Sequence, residues 1–232
     1  MGWVGRFLRS SIGAKFVLAV TGVLLFLWIV GHLLGNLQVF AGREKLNHYA
    51  QALRDLGPLL LIARVGVLAL AVIHVAAALR VAKQNEAARP IPYEKQGNRQ
   101  IRPQTRFMLT SGLVVLGYAL FHLAHFTWGQ IYPQYFNAVE KLADGSERHD
   151  VYAMLVQGFQ VWWLSGLYLA AMFCLAIHLA HGLSSVPQTF GWNHAKYQAL
   201  FKLLGPAVAA LIFVGYSSIP VAVLAGRVGL AP

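Results

Sequence analysis

The sequence predicts an all-α polytopic membrane protein, with five transmembrane helices gathered into one bundle. Three observations carry that expectation. Apolar residues make up 57% of the 232 and charged residues only 12%, far too apolar a balance for a soluble domain. Five stretches, about 14–38, 57–82, 105–128, 156–184 and 200–225, each supply the roughly 20 apolar residues that cross about 30 Å of hydrocarbon. The longest polar segment, 81–105, has no apolar core of its own, so 1–232 reads as a single transmembrane domain.

Helix I follows Arg6, Arg9 and Lys15, as the apolar run of a secretory leader would. The run is too long for that, and no small-residue cleavage site follows Asn36, so it is expected to be a retained span. The polar Arg9-Ser-Ser-Ile-Gly13 is suited to cap it. In the connection 39–56, good helix formers from Glu44 to Leu53 predict a short interfacial helix. Helix II follows Pro58 and carries Arg64 one to two turns inside the span. That guanidinium either snorkels to the interface or pairs with a cofactor carboxylate. Helix III is followed by a polar loop, 129–152, holding Glu140, Asp144, Glu147 and Asp150. Trp162 and Trp163 sit in helix IV at interface depth, as an aromatic belt does. A polar, amide-rich loop, 184–199, leads to helix V, which has Gly205-Pro206, Ser217-Ser218 and no histidine. No internal repeat is apparent. The single cysteine, Cys174, reads as a small buried apolar residue, and Cys-x-x-Cys-His for covalent haem attachment is absent.

A net charge of +11 would suggest nucleic acid in a soluble protein, but here its distribution gives an orientation and no nucleic acid is expected. The N-terminus, loop 81–105, loop 184–202 and the adjoining helix ends hold twelve of the 19 Lys and Arg and only two of the 8 Asp and Glu. That side, and with it the N-terminus, is predicted to be cytoplasmic. The membrane would be the inner, or plasma, membrane of a cell, crossed several times.

Four histidines, His32, His74, His122 and His178, fall one per helix inside helices I to IV. An ionisable residue within a span is a functional-site hypothesis by default. Counting about 1.5 Å per residue along helices of alternating direction sorts them by depth. His32 and His122 lie near the outer edge, His74 and His178 near the cytoplasmic edge, in layers about 15 Å apart. Paired imidazoles from facing helices are what a six-coordinate b-type haem needs, and bundle cores are where such sites are built. Zinc would want carboxylate or thiolate company, and no Asp or Glu lies within a span. The four residues are therefore predicted to be the axial iron ligands of two b haems. Gly31, Gly35, Ala76–Ala78, Gly117 and Gly182 would leave room for flat macrocycles. His125 and His181, each three residues further on, either replace their neighbours or serve the haem rim. His48, His149 and His194 fall in loops.

At the level of motifs the chain resembles the dihaem cytochrome b membrane anchor of the succinate dehydrogenase/fumarate reductase family, of the type with one five-helix subunit. The resemblance rests on Ser10-Ser-Ile-Gly-Ala-Lys15, Gly31-His-Leu-Leu-Gly-Asn36, and His74 followed by Asn85, Ala88-Arg-Pro90 and Tyr93. It continues through Phe121-His-Leu-Ala-His-Phe126 and His178-Leu-Ala-His-Gly-Leu-Ser-Ser-Val-Pro-Gln-Thr-Phe-Gly191, leading into Asn193-His-Ala-Lys-Tyr197. It implies that His74 and His178 bind the proximal haem and His32 and His122 the distal one, in preference to His181 and His125. It also implies an iron–sulfur subunit and a flavoprotein as partners, and a membrane quinone as substrate. Ala176 stands where some fumarate reductase anchors carry an acid tied to transmembrane proton movement, so that path is not expected here.

The function this implies is that of the quinone-reactive subunit of a succinate:quinone oxidoreductase of the respiratory chain, with no catalytic residue for succinate on this chain. Candidate quinone contacts are Ser11, Arg80, Ser184, Gln188 and Thr189 on one side, and Gln38, Asn47, His48 and Arg64 on the other. The rivals are the cytochrome b anchor of a nitrate reductase or hydrogenase, and a haem-free transporter with histidine proton relays.

Overall fold

A computed structural model describes residues 2–88, 107–192 and 194–230. The basic loop residues Arg89, Lys95, Arg99, Arg102 and Arg106, the Arg-Pro90 and Tyr93 motif positions, and Asn193 lie outside them. Among the described residues five helices are long and apolar enough to cross a membrane, as the hydropathy predicted. Over the same residues the architecture is polytopic and helical, with one short hairpin.

A seven-residue helix, α1 (Trp3–Arg9), precedes the first span, α2 (Ser11–Asn36). The Ser10 hydroxyl accepts the Gly13 N–H at 3.0 Å and caps α2, as its sequence suggested. A 3₁₀ turn, Leu37–Ala41, leads to α3 (Arg43–Asp55), so His48 is helical and not in a loop. Pro58 begins the second span, α4 (Pro58–Ala87), at a position where its missing N–H is of no consequence. The third span is α5 (Met108–His122), prolonged by a wide π turn, Leu123–Thr127.

The segment expected as a plain loop is ordered. It holds α6 (Pro133–Phe136) and strands β1 (Val139–Lys141) and β2 (Glu147–His149), antiparallel with Glu140 opposite Arg148. His149 therefore lies on a strand, where its Nε2 donates to the Phe136 carbonyl at 2.5 Å. Next comes α7 (Val151–Gln160), capped by Asp150, which accepts the Ala153 N–H at 2.9 Å.

Helix IV does not begin at 156. Val161 is extended, and the fourth span, α8, runs from Trp162 to Thr189. The break is satisfied internally: the fully buried Ser165 donates to the Phe159 carbonyl at 2.6 Å. Val156, placed in the span by the sequence, is instead fully buried in a cap that also holds Val39, Leu46, Phe159, Tyr168 and Ile219. At its other end α8 continues through residues expected as loop. Ser184, Ser185 and Thr189 donate to carbonyls three or four residues back, so their polarity is spent within the helix. The fifth span, α9 (Ala195–Leu224), is capped by the His194 side chain, which accepts the Lys196 N–H at 3.2 Å.

The bundle is organised around α8. It packs extensively along α9, with Gly205 at a close approach: a Cβ there would lie 2.2 Å from the Ser184 hydroxyl. It also meets α5 and α2. The α4 helix rests almost wholly on α2 and touches α5 only briefly.

A polar network fastens the hairpin to α3. Asn47, with no exposed surface, donates to Glu140 and Asp150 at 2.8 Å each and accepts the Tyr152 N–H at 2.9 Å. Arg43 pairs with Asp150, and Arg148 donates to Glu140 at 2.7 Å and to Glu44 at 2.5 Å. The Arg148 hydrogen bond, against the opposing effect of burial, holds the Glu140 carboxyl below its usual range. Burial pushes Asp150 up, but the Ala153 N–H, the Asn47 amide and Arg43 outweigh it and hold it low. Both carboxylates contribute stability that is complete above their ordinary values of about 4 and disappears as pH falls through the lowered ones. The thermal midpoint of the detergent-solubilised protein should therefore drop below about pH 4. Asp150→Ala, which removes a partner of the buried Asn47 amide and the cap of α7, should cost roughly 1–3 kcal/mol at neutral pH.

Candidate functional site

The four span histidines meet in two pairs, as the depth count predicted. The rings of His32 (α2) and His122 (α5) are 5.9 Å apart, centre to centre, with an interplanar angle of 82°. Those of His74 (α4) and His178 (α8) are 6.4 Å apart at 72°. All four side chains are half-buried and line the space between helices. The first pair lies toward the hairpin end of the bundle and the second toward the N-terminal end.

At the N-terminal-end pair, sequence reasoning missed the residues that hold the rings. His74 Nδ1 is 3.1 Å from the Thr21 hydroxyl and His178 Nδ1 is 3.3 Å from the Ser111 hydroxyl. Each hydroxyl already donates its one proton to a helix carbonyl, Thr21 to Val17 at 2.8 Å and Ser111 to Met108 at 3.1 Å. With its hydrogen on that carbonyl, each hydroxyl accepts from its histidine, the arrangement in which Nδ1 carries the hydrogen and Nε2 keeps a lone pair. The next residue in each case is glycine. A Cβ at Gly22 would lie 3.1 Å from His74 Cε1, and one at Gly112 would lie 3.2 Å from His178 Cε1. A signal for this was present. Thr21-Gly22 precedes His32 as Ser111-Gly112 precedes His122, by the same spacing of eleven residues from hydroxyl to histidine. Eleven residues are about three turns, so each of α2 and α5 shows a hydroxyl and a histidine on one face, about 16 Å apart. The chain has a short recurring pattern after all.

At the hairpin-end pair, His32 is stacked on Trp28 at 4.9 Å and lies 6.2 Å from the Tyr216 ring. His122 Nδ1 is 3.4 Å from the Tyr168 hydroxyl, which is also 3.0 Å from His125 Nδ1. His125 is 3% exposed, so it is not a solvated rim residue.

Both pairs fit a metal held between two imidazoles. Metal–nitrogen bonds of about 2 Å, with roughly 1 Å from each nitrogen to its ring centre, would put two imidazoles on one metal about 6 Å apart, a separation both pairs meet. A side chain at Gly31, Gly117 or Gly182 would meet no atom within 4 Å, but Gly31 and Gly117 are exposed, so their small size does not by itself mark space kept beside the histidines. Gly35 serves another purpose, since a Cβ there would lie 2.6 Å from the Tyr49 hydroxyl. Among the described residues no cluster of three or more His, Cys, Asp or Glu side chains could hold a bare metal ion. Donors in pairs suit a group that brings its own equatorial ligands, as a porphyrin does.

Several of the expected quinone contacts are engaged elsewhere. Asn47 belongs to the polar network, and Arg80 donates to the Leu8 carbonyl at 2.9 Å and to that of Arg9. Ser184 and Gln188 border a cleft of about 10 Å³, too small for a quinone ring. His48 lines a cavity of about 320 Å³ with Gln51, Asp55, Glu147 and Arg148, beneath the hairpin. Arg64 is exposed on α4.

No family model, no curated protein and no solved structure matches the chain. The geometry and the motifs must carry the functional reading between them. Thr21→Val should remove the hydroxyl acceptor of the His74 ring and destabilise the bundle by about 0.5–1.5 kcal/mol. Gly22→Val should cost more, because the ring itself must move. Thermal unfolding in detergent measures both.

Proposed function

We propose that this chain is the membrane-anchoring, quinone-reactive cytochrome b subunit of a succinate:quinone oxidoreductase, holding two b-type haems. The observation that carries the reading is the pairing of one histidine from each of four spanning helices, at two depths and at metal-bridging separation. The choice of this family over other dihaem anchors rests on the motif resemblance.

A six-coordinate b-type haem supplies one-electron transfer without an open position for oxygen. The chain's own contribution is positional. His74 and His178 would present Nε2 from opposite sides of the N-terminal-end site, with Thr21 and Ser111 holding their Nδ1–H groups. Such hydrogen bonds fix the ring orientation and raise the basicity of the ligand. His32 and His122 would do the same at the hairpin end, with Trp28 stacked on one ring and Tyr168 bonded to the other. Apolar helices exclude water from both sites.

In this reading the N-terminal end faces the cytoplasm, and its basic surface docks an iron–sulfur subunit. A flavoprotein beyond that subunit oxidises succinate, and a quinone in the lipid takes up two electrons and two protons. The membrane is the inner, or plasma, membrane.

The purified protein should show a b-type band in its reduced-minus-oxidised spectrum and two haems per chain. His74→Ala and His178→Ala should each remove the same spectral component, and His32→Ala and His122→Ala the other. A protein without the band overturns the reading in favour of a haem-free membrane protein. Loss of one component in common from His32→Ala and His74→Ala overturns the pairing.

A further inference from the structure

The second histidine of the Phe121-His-Leu-Ala-His-Phe126 motif has no part in either pair. The π turn over Leu123–Thr127, closed by the Trp128 N–H on the Leu123 carbonyl at 2.8 Å, explains where it goes. Wide turns of this kind are frequent at functional sites. This one sets His125 against α7, where a Cβ at Gly158 would lie 3.3 Å from its Nε2. The ring is stacked on Phe126 at 4.0 Å and hemmed in by Phe121 and Tyr132. It is thereby sealed from both the histidine pair and the solvent.

What links it to the pair is Tyr168, whose hydroxyl lies between His125 Nδ1 at 3.0 Å and His122 Nδ1 at 3.4 Å. A phenol has one hydrogen, so it donates to one of these nitrogens and accepts from the other. If His122 binds iron through Nε2, its Nδ1 carries a hydrogen and donates to the phenol oxygen. The phenol hydrogen is then committed to His125, at the shorter of the two distances. The chain His122–Tyr168–His125 has one self-consistent direction, and each bond polarises the next.

We propose that Tyr168 is the positioning residue for the His122 ligand and that His125 is the anchor that orients the Tyr168 hydroxyl. His125 is then neither an alternative ligand nor a propionate partner. The inference rests on the dihaem reading. It gives the hairpin-end site an acceptor of a different kind from the aliphatic hydroxyls at the other site. An acceptor on Nδ1–H makes the imidazole a stronger electron donor to iron, which favours the oxidised state.

The test is a redox titration of the purified protein with electron paramagnetic resonance of each haem. Tyr168→Phe removes one oxygen atom. It should keep both spectral components, raise the midpoint potential of the component that His32→Ala removes, change its g-values and leave the other component unmoved. His125→Leu should also keep both components and raise the same potential. Should Tyr168→Phe fail to fold, this variant tests the anchor role alone. The double variant should shift no further than Tyr168→Phe, because the two residues act in series. Unchanged potentials in both single variants overturn the proposal by reducing the pair to packing. Loss of the component in His125→Leu with retention in His122→Leu overturns it by making His125 the ligand. Absence of any b-type spectrum from the unaltered protein instead overturns the dihaem reading itself.

Discussion

An imidazole inside an apolar bundle must have its nitrogens satisfied without water, and the rest of this structure is arranged around that demand. In soluble metal sites a carboxylate often takes the Nδ1–H of the ligand and orients it. A carboxylate in a membrane span is expensive, and among the described spans the one Asp or Glu is Glu86, in the last turn of α4 and away from the histidines. Neutral hydroxyls take its place. Thr21 and Ser111 spend their own hydrogen on a carbonyl of their own helix, which leaves them able only to accept. A helix backbone is thus used to set the tautomer of a histidine on a neighbouring helix.

The same constraint accounts for the spacing. With two histidine pairs at different depths, each of α2 and α5 serves both, one pair with a hydroxyl and the other with a histidine. Eleven residues return a helix to nearly the same face after three turns, and both helices use that interval. Glycine follows each hydroxyl because the imidazole it holds lies against the helix at that point. At the hairpin end the arrangement is different. Tyr168 comes from α8, ten residues ahead of His178, and approaches His122 from a separate helix.

Much of this was legible in the sequence, and the failures have physical causes. Hydropathy located five spans, and depth counting paired the histidines, because both depend only on helix rise. Val156 was misplaced because hydropathy sees an apolar residue without distinguishing a spanning helix from a buried cap on the bundle's end. Ser184, Ser185 and Thr189 looked like loop because their hydroxyls are polar, although each is bonded within its own helix. Asn47 looked like an exposed donor, but its partners Glu140, Asp150 and Tyr152 lie about a hundred positions away in the chain. No local pattern reveals that. The site of His125 depends on a turn one residue wider than an α-helical one, which propensities do not register. The Thr-Gly and Ser-Gly pattern is legible only in its repetition, because each pair by itself is an ordinary helix dipeptide.

One feature of the packing bears on how the protein comes together. Because α4 rests on α2 and scarcely meets α5, a seam runs along one flank of the bundle, with His74 on one lip and His178 reaching toward it from α8. A rigid group clasped by both histidines would rivet two helical pairs that side-chain packing alone joins only loosely. Binding to the folded form and not to the unfolded one stabilises by mass action, so the loaded protein would be the more cohesive. In the proposed reading, that flank is where a flat, greasy cofactor would enter. Loading and closure of the bundle would then be a single event.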